Sequence, residues 1–202
     1  MKLVIASNNK HKIEEIKLIL SDYFDDIVSM GEAGCNDDIE EYGKTFEENA
    51  HIKAKYVADK LGYAALADDS GLEVFSLDGD PGIYSARYAG KHGDDQANND
   101  KLLQVMYNIP DDKRAAQFVS VITLIRPNKP VVSAKGTCPG TILRETRGNG
   151  GFGYDPLFYM EAYDKTMAEL TMEEKNSISH RKRSLQGIKV LLDKEDWRIK
   201  TL

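Results

Sequence analysis

Apolar positions recur along the chain with two periods, one of a strand and one of a helix. Residues 2–6 hold a short apolar run that predicts a buried strand, closed by the polar stretch 7–11. Ile13, Ile16, Ile19 and Leu20 then fall on one face of a helix. A second helix is predicted from Thr45, with Glu48 completing a capping box and Phe46, Ala50, Ala54, Val57 and Leu61 forming its apolar stripe. Residues 63–67 predict a strand that Asp68-Asp69-Ser70-Gly71 interrupts, and 72–77 another, ended by the turn cluster 78–82. A helix is expected over 95–107. Residues 116–125 are apolar at nearly every position, as in a strand buried on both faces, with 131–138 as its partner. Ser179 is placed to cap a last helix whose Leu185, Ile188 and Leu192 face inward. Strands and helices alternate, so the class is α/β with a mixed β-sheet. No repeat or linker divides the 202 residues, and 1–202 is expected to form a single domain.

Charge narrows the function classes. The chain carries 27 Lys and Arg against 33 Asp and Glu, a formal net charge of -6. That balance argues against a nucleic-acid partner, while leaving room for a local basic pocket that takes one anionic small molecule. The run Leu3–Ala6 is too short for a signal-peptide core, and no stretch reaches the roughly 18–20 apolar residues of a membrane span. Cys35 and Cys138 lack metal-ligand spacing and are expected to be free thiols in a reducing cytoplasm.

Four clusters can carry chemistry. The strand–loop–helix opening holds Ser7, Asn8, Asn9, Lys10, His11 and Lys12, and amides at a helix start beside lysines suit a phosphate. The Gly-Lys-Ser/Thr ending of a P-loop is missing. Asp68 and Asp69 at a strand end can hold Mg²⁺ and orient a water; alternation sends only one of them to a given face. Glu40 and Glu41 are candidate further metal carboxylates. Gly148, Gly150 and Gly153 satisfy G-x-G-x-x-G, but an apparent strand follows where a dinucleotide site needs a helix, so that fingerprint is rejected. What remains is a glycine loop presenting Phe152 and Tyr154 for base stacking. Finally, Lys175 with His180, Arg181, Lys182 and Arg183 sets cations at a helix start, against the helix dipole, where three of them can read keto oxygens. Taken singly, each cluster also fits an ordinary reading: a capped helix start, a turn, solvated acids, a core aromatic, a charged helix face.

Their order along the chain changes that balance. Ser7-x-Asn9-x-x-Lys12, Thr45-Phe-x-Glu-Asn-Ala50, Ala67-Asp-Asp-Ser-Gly-Leu72, Pro81-Gly-Ile-Tyr-Ser-Ala-Arg-Tyr-Ala-Gly90, Gly151-Phe-Gly-Tyr-Asp-Pro156 and Lys175 with Ser179-His-Arg181 follow one another. In this the chain closely resembles the inosine triphosphate pyrophosphatase family, which removes non-canonical purine nucleotides. The resemblance implies a long mixed sheet flanked by helices, two lobes with a central cleft, and a homodimer. It implies Mg²⁺-dependent hydrolysis of XTP, ITP or dITP to the monophosphate and pyrophosphate. It further implies Asp69 as the proton acceptor and a metal ligand, Glu40 as the second ligand with Glu41 in reserve, and Ser70 as a substrate contact. Residues 7–12 would take the triphosphate and Lys53 would neutralise charge on the leaving pyrophosphate. The base would meet Phe152, Gly153, Tyr154 and Asp155 together with the donors Lys175, His180 and Arg181. A rival of another class is a sensor that binds modified nucleotides without turnover; the paired carboxylates favour the enzyme.

Overall fold

The computed structural model describes residues 1–195, without the side chains of His11 and Asn176. Seven strands form one mixed sheet in the order β2-β1-β3-β4-β5-β6-β7. They are β1 (Lys2–Ile5), β2 (Asp26–Ser29), β3 (Ala64–Val74), β4 (Ala115–Ile125), β5 (Val132–Ile142), β6 (Phe158–Met160) and β7 (Lys165–Thr166). β1 pairs parallel with β2 and β3, whereas β6 pairs antiparallel with β5 and β7. The helices are α1 (Lys10–Leu20), α2 (Phe46–Leu61), α3 (Asp95–Val105), α4 (Met172–Ile178) and α5 (His180–Lys194). The expected α/β class with a mixed sheet flanked by helices is what the chain forms.

The chain divides into two compact units, one made of Met1–Asp69, Ser120–Gly136 and the stretch from Arg181, the other of Ser70–Val119 and Thr137–His180. In the first unit β1 is buried on both faces. Leu3 and Ile5 join Ile13, Ile16 and Leu20 of α1 and Leu185, Ile188 and Leu192 of α5, while Val4 and Ala6 join Ala54 and Val57 of α2. β3 repeats that alternation, with Ala64 and Leu66 on the α1–α5 side and Ala65 and Ala67 on the α2 side. Complete burial of a side chain such as Ile16 or Leu20 contributes about 1.5–3 kcal/mol. The second unit packs Leu72 and Val74 with Leu102 of α3, with Met106 just after it, and with Phe118, Tyr154 and Phe158.

Three expectations need correction. β3 runs unbroken through Asp68-Asp69-Ser70-Gly71. Asp and Ser favour turns because they compete for backbone groups, and here both aspartates are held by side-chain cations instead. The capping box at Thr45 is half formed: Thr45 accepts from the Glu48 amide, but the Glu48 carboxylate takes the Lys44 amide at 2.6 Å. A complete box stands at Thr171 and Glu174, heading α4, a helix the pattern does not foretell. α2 ends where Gly62 adopts φ 71° and returns its amide to Ala58.

Candidate active site

Alternation along β3 decides what each aspartate meets. Asp68 keeps the parity of Ala64 and Leu66, and so reaches the α1–α5 side. There Lys12 Nζ lies 2.8 Å from Asp68 Oδ2, Arg181 Nε donates to the same oxygen at 3.0 Å, and Ser120 Oγ donates to Oδ1 at 2.6 Å. Arg181 Nη1 also donates to Glu15 on α1 at 2.9 Å, and Ser184 bridges Ser120 to the Arg181 carbonyl. Asp69 keeps the parity of Ala65 and Ala67 and reaches α2. Lys53 Nζ donates to Asp69 Oδ1 at 2.7 Å, to Glu41 Oε1 at 2.8 Å and to the Asp68 carbonyl at 3.2 Å, which uses all three of its hydrogens. Asn49, one turn before Lys53, accepts the Gly43 amide at 2.8 Å and so anchors the loop that carries Glu41.

Burial raises the stakes of every charge in this group. It pushes the Asp69 carboxyl above its ordinary value, because one ammonium shared with Glu41 only partly offsets desolvation. Burial opposes the Lys53 ammonium too, but Asp69 and Glu41 outweigh it and hold the lysine pKa up. Asp68 is the opposite case: against burial, Lys12 and Arg181 hold its carboxyl well below the carboxylate range. Lys12, deeply placed and near two other cations, is lowered. The group sets Lys12, Lys53 and Arg181 against Glu15, Glu41, Asp68 and Asp69, leaving one negative charge in excess.

The loop before α1 holds the remaining polar residues of this unit. Asn9 caps α1 by accepting the Lys12 amide at 3.1 Å, and Ser7 Oγ accepts the Asn9 amide at 3.1 Å. Asn8 Oδ1 accepts from the Gly31 amide. Helix geometry gives the amides of Lys10 and His11 no carbonyl four residues back within α1. The Lys10 side chain is exposed, and that of His11 lies outside the described residues. Glu40 is exposed and makes no hydrogen bond or ion pair among the described residues; Glu41 is the acid that shares Lys53 with Asp69.

The second unit gathers the aromatic loop. Asp155 Oδ2 accepts the Phe152 amide at 2.9 Å and an ion-pair hydrogen bond from Lys175, whose Nζ lies 4.9 Å from the Phe152 ring centre. Gly151 is required there: its φ is 75°, and a Cβ would stand 2.1 Å from Asp155 Oδ2. Phe152 is 45% exposed, whereas Tyr154 is buried and donates its hydroxyl to the Ser85 carbonyl at 2.9 Å. Burial raises the Asp155 carboxyl, with Lys175 pulling against it. His180 stacks on Phe118, ring centres 5.2 Å apart, and Ser70 is half-buried in β3. Of the expected donors, Lys175 and His180 belong to this unit, and Arg181, in the first unit, has two guanidinium nitrogens engaged by Asp68 and Glu15.

Glu15, Ser120 and Ser184 are partners that motif reading passes over. Ser120 leaves a trace, a hydroxyl among the apolar residues 118–122 of β4. Among the described residues, no three His, Cys, Asp or Glu side chains gather as a metal centre, and no helix is long and apolar enough to cross a membrane.

Comparison with known proteins bears out the resemblance. Residues 3–190 match the sequence model of the Ham1 family. A dITP/XTP pyrophosphatase of Clostridium perfringens is 52% identical over 194 residues, covering 93% of this chain and 95% of that protein. The Ham1 protein of Staphylococcus aureus superposes with a TM-score of 0.89 at 46% identity, over 96% of this chain and 100% of the other. A nucleoside-triphosphatase or dITP/XTP pyrophosphatase of Mycobacterium abscessus gives 0.80 at 42% identity, over 93% and 98%.

Proposed function

The chain belongs to the Ham1 family, and we propose that it hydrolyses the deaminated purine nucleotides XTP, ITP and dITP to the monophosphate and pyrophosphate. The observation that carries this reading is the pair of carboxylates, Asp69 and Glu41, converging on the single ammonium of Lys53. Two hard oxygen donors are what Mg²⁺ takes from a protein when water and substrate phosphate fill its other positions. The excess negative charge of the group also suits it, since a polyanionic triphosphate is repelled until a divalent cation is added. Asp69 and Glu41 would hold the ion, Glu41 standing where the motif reading set Glu40. Bound there, Mg²⁺ supplies charge neutralisation and a water of lowered pKa.

This chain's own groups do the rest. Asp69, its Oδ1 occupied by Lys53, takes the proton of the attacking water at Oδ2, and burial makes it a better acceptor than an exposed carboxylate. The water oxygen bonds to the α-phosphorus, the α–β bridge breaks, and pyrophosphate leaves with the bonding pair. Lys12, Lys53 and the amides that open α1 stabilise the charge that develops. Phe152 offers a face for the base. Lys175 donates to the purine 6-keto oxygen and Asp155 accepts from N1–H; adenine, with an amino group and a bare N1, mismatches both, at about 1–3 kcal/mol per unsatisfied group. Ser70 and His180 complete the contacts. The same reading carries a homodimer, supported by the exposed aromatics Phe75, Tyr84 and Tyr107, and a cytoplasmic setting, supported by the buried free thiols Cys35 and Cys138.

Pyrophosphate release from ITP, XTP, dITP, GTP and ATP, with Mg²⁺ and then with EDTA, tests the proposal. Release from ITP, XTP and dITP well above that from ATP, and abolished by EDTA, is expected. Binding of ITP without release would make the protein a sensor.

A further inference from the structure

Helix α3 and the Pro81–Gly90 motif have no part in the reaction above, yet both converge on the aromatic loop. Gly153 is tied at both of its backbone polar groups by one helix. Asp95 Oδ2 accepts its amide at 2.7 Å, and Asn99 Nδ2 donates to its carbonyl at 2.8 Å. Asp95 and Asn99 stand four residues apart on α3 and so share a face. Tyr154 is fixed by the Ser85 carbonyl, and Ser85 Oγ in turn accepts the Leu72 amide at 2.8 Å and donates to the Gly82 carbonyl. Asn98 joins the two supports, accepting from the Ala89 amide at 2.7 Å and donating to the Ala86 carbonyl. The two central residues of the Phe152–Asp155 turn, Gly153 and Tyr154, are thus pinned to a frame built from α3 and the turn at 82–87.

Asn99 shows that this arrangement is not simply good packing. Its Nδ2 serves two carbonyls, those of Asp95 and Gly153, while its Oδ1 is buried with no partner among the described residues. An orphaned acceptor is unfavourable, and an apolar residue would avoid it. The amide is kept for what its donor end does to Gly153.

We infer that Asp95 and Asn99 are positioning residues for base choice, acting through Gly153 to hold Phe152 and Asp155 where a purine edge is read. The inference rests on the reaction proposed above. It separates a role in choice from a role in stability, because a merely structural contact would not change the preference between two substrates.

The test uses Asp95→Ala, Asp95→Asn and Asn99→Asp, with kcat and KM measured for ITP and ATP. Asp95 is exposed, so Asp95→Ala is expected to fold. Its kcat/KM for ITP should fall about tenfold, mostly through KM, with that for ATP unchanged, as expected when an interaction present in both ground and transition states is lost. Asp95→Asn keeps an acceptor oxygen and should recover most of the loss. Asn99→Asp sets an acceptor against two carbonyls and should lower the ITP preference further. A folded Asp95→Ala with the wild-type ITP-to-ATP ratio, or with equal losses on both, overturns the inference. A wild type that releases no pyrophosphate from ITP overturns the reaction, and with it the role in base choice; an active wild type with an unchanged ratio in Asp95→Ala overturns the inference alone.

Discussion

The charged group of the first unit and the aromatic loop of the second hold their side chains by different means. Around Asp69 the principal links are ion pairs between side chains: Lys53 to Glu41, Lys12 and Arg181 to Asp68, Arg181 to Glu15. Apart from Glu41, which is carried by a loop, these groups sit on or at the start of regular elements, where backbone geometry is set by the sheet and helices. Around Phe152, apart from the Lys175–Asp155 ion pair, the links are to main-chain atoms: Asp155 to the Phe152 amide, Asp95 and Asn99 to Gly153, Tyr154 to Ser85. A glycine-rich loop has no preferred shape, so its shape must be imposed by such bonds. The difference suits two jobs. Handling a polyphosphate depends on where charge lies, and telling one purine from another depends on where backbone and ring lie. Turnover and choice are therefore expected to separate under mutation.

The sharpest break should come at Asp69. Asp69→Asn keeps the size of the side chain but removes its proton acceptor, so kcat should fall about a thousandfold on every substrate. ITP binding, measured by calorimetry, should stay near that of the wild type. Turnover equal to the wild type would remove Asp69 from the role of base. Next in size is Glu41→Gln, expected to cost about 10–100-fold at limiting Mg²⁺ and to be relieved as the ion is raised, the range found when groups supporting a metal are altered. Glu40→Gln, assayed beside it, should stay within about twofold of the wild type, in line with the small effect of exposed substitutions. The reverse ranking would return the second carboxylate to Glu40.

How much of this was legible in the sequence depends on what periodicity can report. Apolar spacing finds faces within an element, and it located α1, α2 and the doubly buried β4 because their stripes are long. It is silent on which element lies opposite. Asp68 and Asp69 were therefore visible as a pair, and alternation already set them on opposite faces, but not that one faces Lys12 and Arg181 and the other Lys53. The apolar run after the glycine loop did announce β6, but β7, two residues long, is too short to show a period. Glu40 and Glu41 are adjacent in a loop, where no period applies. Arg181 could have been read better. It shares the helical stripe of Leu185, Ile188 and Leu192, which marks it as inward-facing, yet the basic run His180–Arg183 disguises it as part of one surface patch. Asp95 and Asn99 left no trace, since polar residues on a helix are ordinary until the loop across from them is known.

Lys175→Ala is the mildest of these changes and the one aimed at the second region alone. It removes the ammonium that lies over Phe152 and pairs with Asp155, without touching the charges around Asp69. The expected result is about a tenfold lower kcat/KM for ITP with ATP within about twofold, the scale of one hydrogen bond to a charged group. Equal loss on both substrates would assign Lys175 to phosphate rather than base. The variant should also show a pH dependence of definite sign. Burial already raises the Asp155 carboxyl, and Lys175 is what restrains it. With the ammonium gone the carboxyl rises further, so its charged form is lost at a higher pH as the solution is acidified. The acceptor for N1–H disappears with that charge. ITP preference in Lys175→Ala should therefore decay at a higher pH than in the wild type, while the ATP rate, which does not use that acceptor, follows the same curve in both.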